Sequence, residues 1–272
     1  MIVYPNAEIN LGLNILRKRN DGYHDIDSVF YPVSWRDILE AIPNETGLFS
    51  IEFSGLPIPG DPKDNLIYKA WKLLNEKHGI PGVNVHLHKV IPMGAGIGGG
   101  SADGAFMLKL LNSLFALDLS ERELMEMASS LGSDCPFFIP NTPAFVTGRG
   151  EKMEQLLFNL DDYRLVLINP GLHFGTAEAY SGIVPNESGI STKEVIEKYP
   201  VAEWKNYLKN DFEIPAFKKY PELRHLKDAL YANGALYASM TGSGSTLYAL
   251  FHSIPENLGN CICKEGYTIK IC

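Results

Sequence analysis

Residues 92–105 read PMGAGIGGGSADGA, with six glycines in fourteen positions. Glycine inside a regular element is destabilising by about 0.5–1 kcal/mol relative to alanine, so this density needs a reason. The run follows an alternating stretch, VNVHLHKV, and leads into a helical pattern, SADGAFMLKLLNSLFAL. A glycine loop that opens a helix turns free backbone N–H groups and the positive end of the helix toward an anion. Without Cβ atoms the backbone can also approach a phosphate closely, so a side chain at Gly98 or Gly99 is expected to stand in the phosphate path. Phosphate cradling is the favoured reading, and a purely structural turn is the alternative. Two familiar phosphate loops fail. Gly94, Gly96 and Gly99 fit G-x-G-x-x-G with Asp118 at a plausible distance, but no strand intervenes to carry that acid. Gly94, Gly99 and Ser101 approach the Walker A pattern, yet Gly100 stands where its lysine belongs. The loop is therefore expected to hold phosphate with backbone, Ser101 and Mg²⁺.

Other candidate groups are less specific. Asp134, in LGSDCPFFI, by itself reads as a turn residue before a general base. His86 and His88 share one face of a strand and read as a solvated face before a metal site. Cys135, Cys261, Cys263 and Cys272 form no C-x-x-C pair, and Cys261/Cys263 read as strand or surface cysteines before a metal pair.

The elements that must hold these groups are legible from period and caps. AEINLGLNI alternates, with Ile9, Leu11, Leu13 and Ile15 on one face and Glu8, Asn10, Gly12 and Asn14 on the other, which predicts a half-buried strand. Asn20-Asp21-Gly22 marks a turn. SVFYPVSWRDILEAI and FSIEFSG read as strands, and NLIYKAWKLLNEKHG as a helix ending at Gly79. Ser120 and Glu123 stand at capping-box spacing. PAFVTGRGEKMEQL reads as strand and turn. After a shift in composition near Leu157, YRLVLINPG reads as a strand, and helices are expected around 193–198, 203–209 and 221–233. MTGSGSTLYALF is a second glycine loop beside strands.

The whole chain has 272 residues, 45% apolar and 21% charged, with a net charge of −8. This suits one large or two smaller domains and argues against non-specific nucleic-acid binding, which needs a basic field. The N-terminus lacks signal-peptide features, and no apolar run reaches the ~18 residues of a membrane span. A cytoplasmic protein with reduced thiols, without a membrane or nucleic-acid partner, is expected.

The glycine run resembles the P-x-G-x-G-L-G-G-G-S-S motif of the GHMP kinases. AEINLGLNILRKRNDGYHDIDSVF resembles the first strand and D-G-Y-H turn of one family among them, the 4-diphosphocytidyl-2-C-methyl-D-erythritol kinases. LGSDCPFFI is similar to that family's G-A-D-x-P motif, and MTGSGSTLYALF to its S-G-S-G motif. The stretches come in family order from residue 7 to residue 251. The resemblance implies an α/β (α+β) fold of two GHMP kinase domains, 1–157 and 158–272, with the active site in the cleft between them. It implies an ATP-dependent small-molecule kinase that uses Mg²⁺ and phosphorylates the 2-hydroxyl of a cytidine diphosphate substrate, in non-mevalonate isoprenoid precursor biosynthesis. Asp134 becomes the catalytic base. Pro92, Met93, Gly94, Ala95, Gly96, Ile97, Gly98, Gly99, Gly100, Ser101 and Ala102 become the ATP loop. Tyr23 and His24 hold the cytidine base, Tyr180 is a second stacking ring, and Arg149, Asn10, Gly242, Ser243 and Gly244 line the substrate site. One position departs from the family: its A-K-x-N lysine, beside the aspartate, is Glu8 here. An anion in place of that cation raises the aspartate pKa and repels a triphosphate. Either the site compensates with another cation or Mg²⁺, or the chain is an impaired nucleotide-binding homologue, or the position was altered. A GHMP kinase acting on homoserine or a sugar is the enzyme alternative.

Overall fold

In a computed structural model, residues 1–187, 189–262 and 264–272 are described, without the side chains of Asn260 and Cys261, so the Cys261/Cys263 pair falls outside the description. The strands are β1 (Ile2–Val3), β2 (Asn6–Lys18), β3 (His24–Arg36), β4 (Ile38–Pro43), β5 (Ser50–Gly55), β6 (Val83–Lys89), β7 (Ala144–Gly148), β8 (Lys152–Gln155), β9 (Arg164–Asn169), β10 (Tyr237–Met240), β11 (Leu247–Phe251) and β12 (Thr268–Ile271). The helices are α1 (Leu66–His78), α2 (Gly99–Leu114), α3 (Glu121–Leu131), α4 (Thr176–Ser181), α5 (Thr192–Lys198), α6 (Glu213–Lys219), α7 (Pro221–Ala232) and α8 (Leu258–Ile262). No helix among the described residues is long and apolar enough to cross a membrane.

The chain packs as two units of interleaved segments. The first unit comprises 1–8, 32–93 and 98–142. Its sheet runs β1-β4-β6-β5, antiparallel except for the β5–β6 pair. Helix α2 is its central element, buried at Ala102, Asp103, Ala105, Met107, Leu108, Leu110 and Leu111. Asn65 caps α1 by accepting from the Ile67 N–H, and Gly79 ends it at φ 64°. Ser120 and Glu123 form both bonds of the expected capping box on α3.

The second unit comprises 9–31, 94–97 and 143–272. It holds the sheet β2-β3-β7-β8 and the antiparallel sheet β10-β11-β9-β12. Ile9, Leu11, Leu13 and Ile15 line one face of β2 as expected, each at most 6% exposed. In β3 and β7 the register sets Ile26 opposite Gly148, which brings the 20–24 turn and residue 149 to one end of the sheet.

Three expectations need correction. Strand β2 is not half-buried, since Glu8 and Asn10 on its other face are 4% and 2% exposed. Each is covered by loop backbone that becomes adjacent only on folding, which alternation along the strand cannot report. Residues 203–209 are not an α-helix; a 3₁₀ turn covers Val201–Asn206, where Trp204 is buried and donates from Nε1 to Tyr199 O at 2.9 Å. The SVFYPVSWRDILEAI run is two strands, broken at Asp37, whose carboxylate is used elsewhere.

Candidate functional site

In the first unit, Gly98 takes φ 68° and opens α2 with no side-chain cap. The first N–H groups of a sixteen-residue helix thus have no side-chain cap, an arrangement that suits an anion. Gly99 and Ala102 are buried, while Gly98, Gly100 and Ser101 are partly open. The glycines have different neighbours. A Cβ on Gly98 would stand 2.8 Å from Phe138 Cζ and 3.0 Å from Glu8 Cγ; one on Gly99 would stand 2.7 Å from Ile91 Cγ2. A valine at either position collides with protein before any ligand is considered. At Gly100 the nearest atom is Met93 Cε at 4.0 Å. Gly100→Ala therefore separates the two reasons for glycine: folding should be unharmed, because alanine is the better helix former by about 0.5–1 kcal/mol. ATP affinity should fall at least about tenfold, which is ~1.4 kcal/mol, if phosphate passes there. Unchanged affinity by calorimetry takes Gly100 out of the phosphate path.

Asp134 precedes the 3₁₀ turn Cys135–Phe138, and its carbonyl accepts from Phe137 N. The residue presents surface to solvent, yet its carboxyl lies in a hollow crowded by protein, and loss of water there raises its pKa. Glu8 is enclosed outright. Its Oε2 has no hydrogen-bond partner among the described residues, and burial first, then the charge of Asp134, push its carboxyl well above the ordinary 4.5. The next residue, Cys135, is buried, and its thiol is pushed up to about 12 by burial, so it is no nucleophile at neutral pH.

Sequence reasoning missed the cluster that holds this loop in place. Lys89 Nζ donates to Asp37 Oδ2 at 2.5 Å and to Asp103 Oδ2 at 2.6 Å, with Lys89 wholly enclosed. Asp37 Oδ1 accepts from the N–H groups of Val90 and Ile91 at 2.6 and 2.8 Å, fixing the chain as it leaves β6 for the glycines. Burial raises Asp103 to about 7 despite the ammonium. A signal was present: in VNVHLHKV, Lys89 occupies the same phase as Val83, Val85 and Leu87. His86 and His88, on the other phase, both contact the Ser54 hydroxyl at 2.9 Å.

In the second unit, residues 94–97 cross the other glycine loop. A Cβ on Gly96 would stand 2.6 Å from Thr241 O and 2.9 Å from Gly244 O, and one on Gly242 would stand 2.7 Å from Gly96 O. Thr246 N donates to Ala95 O at 3.3 Å. Ala95 and Ile97 point inward, Met93 and Gly94 are exposed, and Pro92 is half-buried. Asn10 Oδ1 accepts from Gly242 N at 2.6 Å, and Asn210 Nδ2 donates to Met240 O and Gly242 O at 2.8 and 2.9 Å. Asn10 thus positions the 242–244 loop, and Asn210, which no motif marked, does so beside it. Ser243 Oγ meets Thr176 Oγ1 at 3.2 Å.

The rings also lie in this unit. His24 stacks on Tyr180 at 4.7 Å between centroids and 19° between planes, and Tyr180 meets Phe212 edge-on at 4.9 Å. Tyr23 is 56% exposed with the Arg149 guanidinium 4.8 Å over its ring. Tyr180 is therefore occupied by other rings and Tyr23 has Arg149 on one face, and no base fits between His24 and Tyr180 at that spacing. Burial, then Lys18, lower the His24 pKa, which favours the neutral imidazole with one donor and one acceptor. Arg17, Lys18 and Arg19, with Asn20 and Asp21, line a neighbouring hollow of about 410 Å³.

Comparison with known proteins is consistent across sequence and structure. The GHMP kinases N terminal domain model matches residues 65–148, and the GHMP kinases C terminal model matches residues 198–268. A relative from Parabacteroides distasonis is 48% identical, covering 98% of this chain and 99% of its own length. One from Cytophaga hutchinsonii is 46% identical, covering 96% and 99%. Both are named 4-diphosphocytidyl-2-C-methyl-D-erythritol kinase. A crystal structure of 4-(cytidine 5'-diphospho)-2C-methyl-D-erythritol kinase, 30% identical, matches with a TM-score of 0.82 over 100% of this chain and 98% of that one. The mevalonate kinase of Methanococcus jannaschii, 14% identical with a TM-score of 0.75 over 100% and 97%, shares the fold.

Proposed function

The chain belongs to the 4-diphosphocytidyl-2-C-methyl-D-erythritol kinase family, and on that premise we propose that it transfers the γ-phosphoryl group of ATP to the 2-hydroxyl of 4-diphosphocytidyl-2-C-methyl-D-erythritol. It has the GHMP kinase fold with N- and C-terminal domains. The observation that carries the reading is identity of 46–48% across nearly the whole of both relatives. The Asp134 carboxylate takes the proton of the 2-hydroxyl, the hydroxyl oxygen bonds to the γ-phosphorus, and the bond from that phosphorus to the β,γ-bridging oxygen breaks to release ADP. Mg²⁺ arrives on the nucleotide as part of the substrate and neutralises phosphate charge. The N–H groups opening α2 receive the phosphates, while the loop's first half is braced by Thr241 and Gly244.

The turn bearing Tyr23 and His24 supplies the grip on cytosine. A neutral His24 can both donate to and accept from a base edge, and the exposed Tyr23 ring offers a face. Tyr23→Ala and His24→Ala should each raise KM for the cytidine substrate more than for ATP, by about 5–150-fold, as loss of ~1–3 kcal/mol of stacking implies. Equal effects on both substrates mean that these residues only shape the site. The direct test of function is phosphorus NMR of the product formed from ATP and the cytidine substrate. A phosphomonoester at the 2-position supports it; consumption of homoserine or a sugar instead, with the cytidine compound untouched, overturns it. A second reading, nucleotide binding without catalysis, is motivated by Glu8 alone, and single-turnover transfer separates it from an enzyme.

A further inference from the structure

Glu8 is the buried titratable group that the reaction above leaves without a part. It is 4% exposed, its Oε2 has no hydrogen-bond partner among the described residues, and its stem packs against Gly98, where a Cβ would lie 3.0 Å from Glu8 Cγ. An ionised carboxylate placed there is a buried, unpaired charge, which proteins avoid by neutralising the group. Gly98 at the start of α2, which carries no charge, faces its stem, and Asp134 is the titratable group that acts on it. Asp134 presents surface to solvent and Glu8 is buried, so of the two Asp134 is better placed to carry the charge.

We propose that Glu8 works as a neutral carboxylic acid beside an ionised Asp134, the two carboxyl groups carrying one proton and one negative charge between them during phosphoryl transfer. The inference rests on Asp134 as the base, and Glu8 is a positioning residue acting through it. A chain that lacks the family lysine has then given up a cation without placing a second anion against the triphosphate. Asp134 stays ionised and able to accept the hydroxyl proton. When Glu8 loses its own proton at high pH, the pair becomes doubly negative, and both phosphate binding and transfer suffer.

Two measurements on Glu8→Gln test this, with Glu8→Met as a second non-ionising variant should glutamine perturb the fold. The wild-type kcat/KM profile should be bell-shaped, with the pair supplying both limbs. Glutamine should abolish the alkaline limb and retain an acid limb from Asp134. The second readout needs no turnover. A carboxyl raised in the folded state holds a proton that the unfolded chain releases above its ordinary 4.5, so wild-type stability falls as pH rises past that value, whereas below it both states are protonated. The unfolding temperature of wild type should therefore drop behind that of the variant above about pH 4.5 and run parallel to it below. An unchanged alkaline limb, or a gap in unfolding temperature that does not vary with pH, overturns the proposal. Failure of Asp134 as base shows separately, as Asp134→Asn that still turns over while the pH-dependent unfolding gap persists.

Discussion

Asp134→Asn is expected to reduce kcat by a factor on the order of 10²–10⁴, the usual contribution of a positioned base. Binding of ATP and of the cytidine substrate should stay within a few-fold. The amide keeps the shape of the carboxyl and its place before the Cys135–Phe138 turn, but it cannot accept the hydroxyl proton. Rapid-quench measurement of a single turnover, beside equilibrium binding of each substrate, separates loss of chemistry from loss of binding. Near wild-type transfer rules out proton acceptance by this residue. Because crowding raises the Asp134 carboxyl, the acid limb of wild-type activity should lie above the range of a freely solvated aspartate. The base is present above its pKa and lost as pH falls through it.

Glu8→Lys is expected to raise kcat by at least about tenfold, which is ~1.4 kcal/mol of barrier. The variant restores the cation that the family motif carries beside the aspartate. With Glu8 neutral, the substitution adds one positive charge; with Glu8 ionised it would change the local charge by two. At about 5 Å and an effective dielectric of about 20, one unit is worth roughly 3 kcal/mol before screening by solvent, so a tenfold gain asks for less than half of it. A neighbouring ammonium also favours the ionised base, which moves the acid limb of the kcat profile to lower pH. The check is kcat against pH for both proteins at saturating ATP and Mg²⁺. A lysine variant that is no faster, with its acid limb unmoved, places Glu8 out of reach of the chemistry.

The local part of this architecture is legible because local physics determines it. Helix α3 follows from Ser120 and Glu123, the end of α1 from Gly79, and the inward row of β2 from its period of two. What resists reading is whatever depends on residues distant in sequence. Lys89 meets an aspartate 52 positions before it, Asn10 meets a loop some 230 positions on, and His24 finds Tyr180 across the chain. The charge of Glu8 is the sharpest case. Its position on the same phase of β2 as Asn10 follows from alternation, but its protonation depends on how completely folding encloses it. The glycines at 98 and 99 show the same limit, since their density suggests a ligand while their nearest neighbours are Phe138 and Ile91.

The crossing of Gly96 over Thr241–Gly244 also sets an order of events during synthesis. The glycines at 94–97 leave the ribosome long before the backbone that braces them exists. At roughly 5–20 residues per second, the intervening ~150 residues take on the order of ten seconds. Through that interval the nascent chain carries a glycine run whose conformational entropy nothing has yet removed. The 94–97 segment thus gains its bracing late, although it is encoded in the first half. A chain stalled or cut before residue 241 retains the PMGAGIGGGS stretch but lacks the carbonyls of Thr241 and Gly244 against which Gly96 is set.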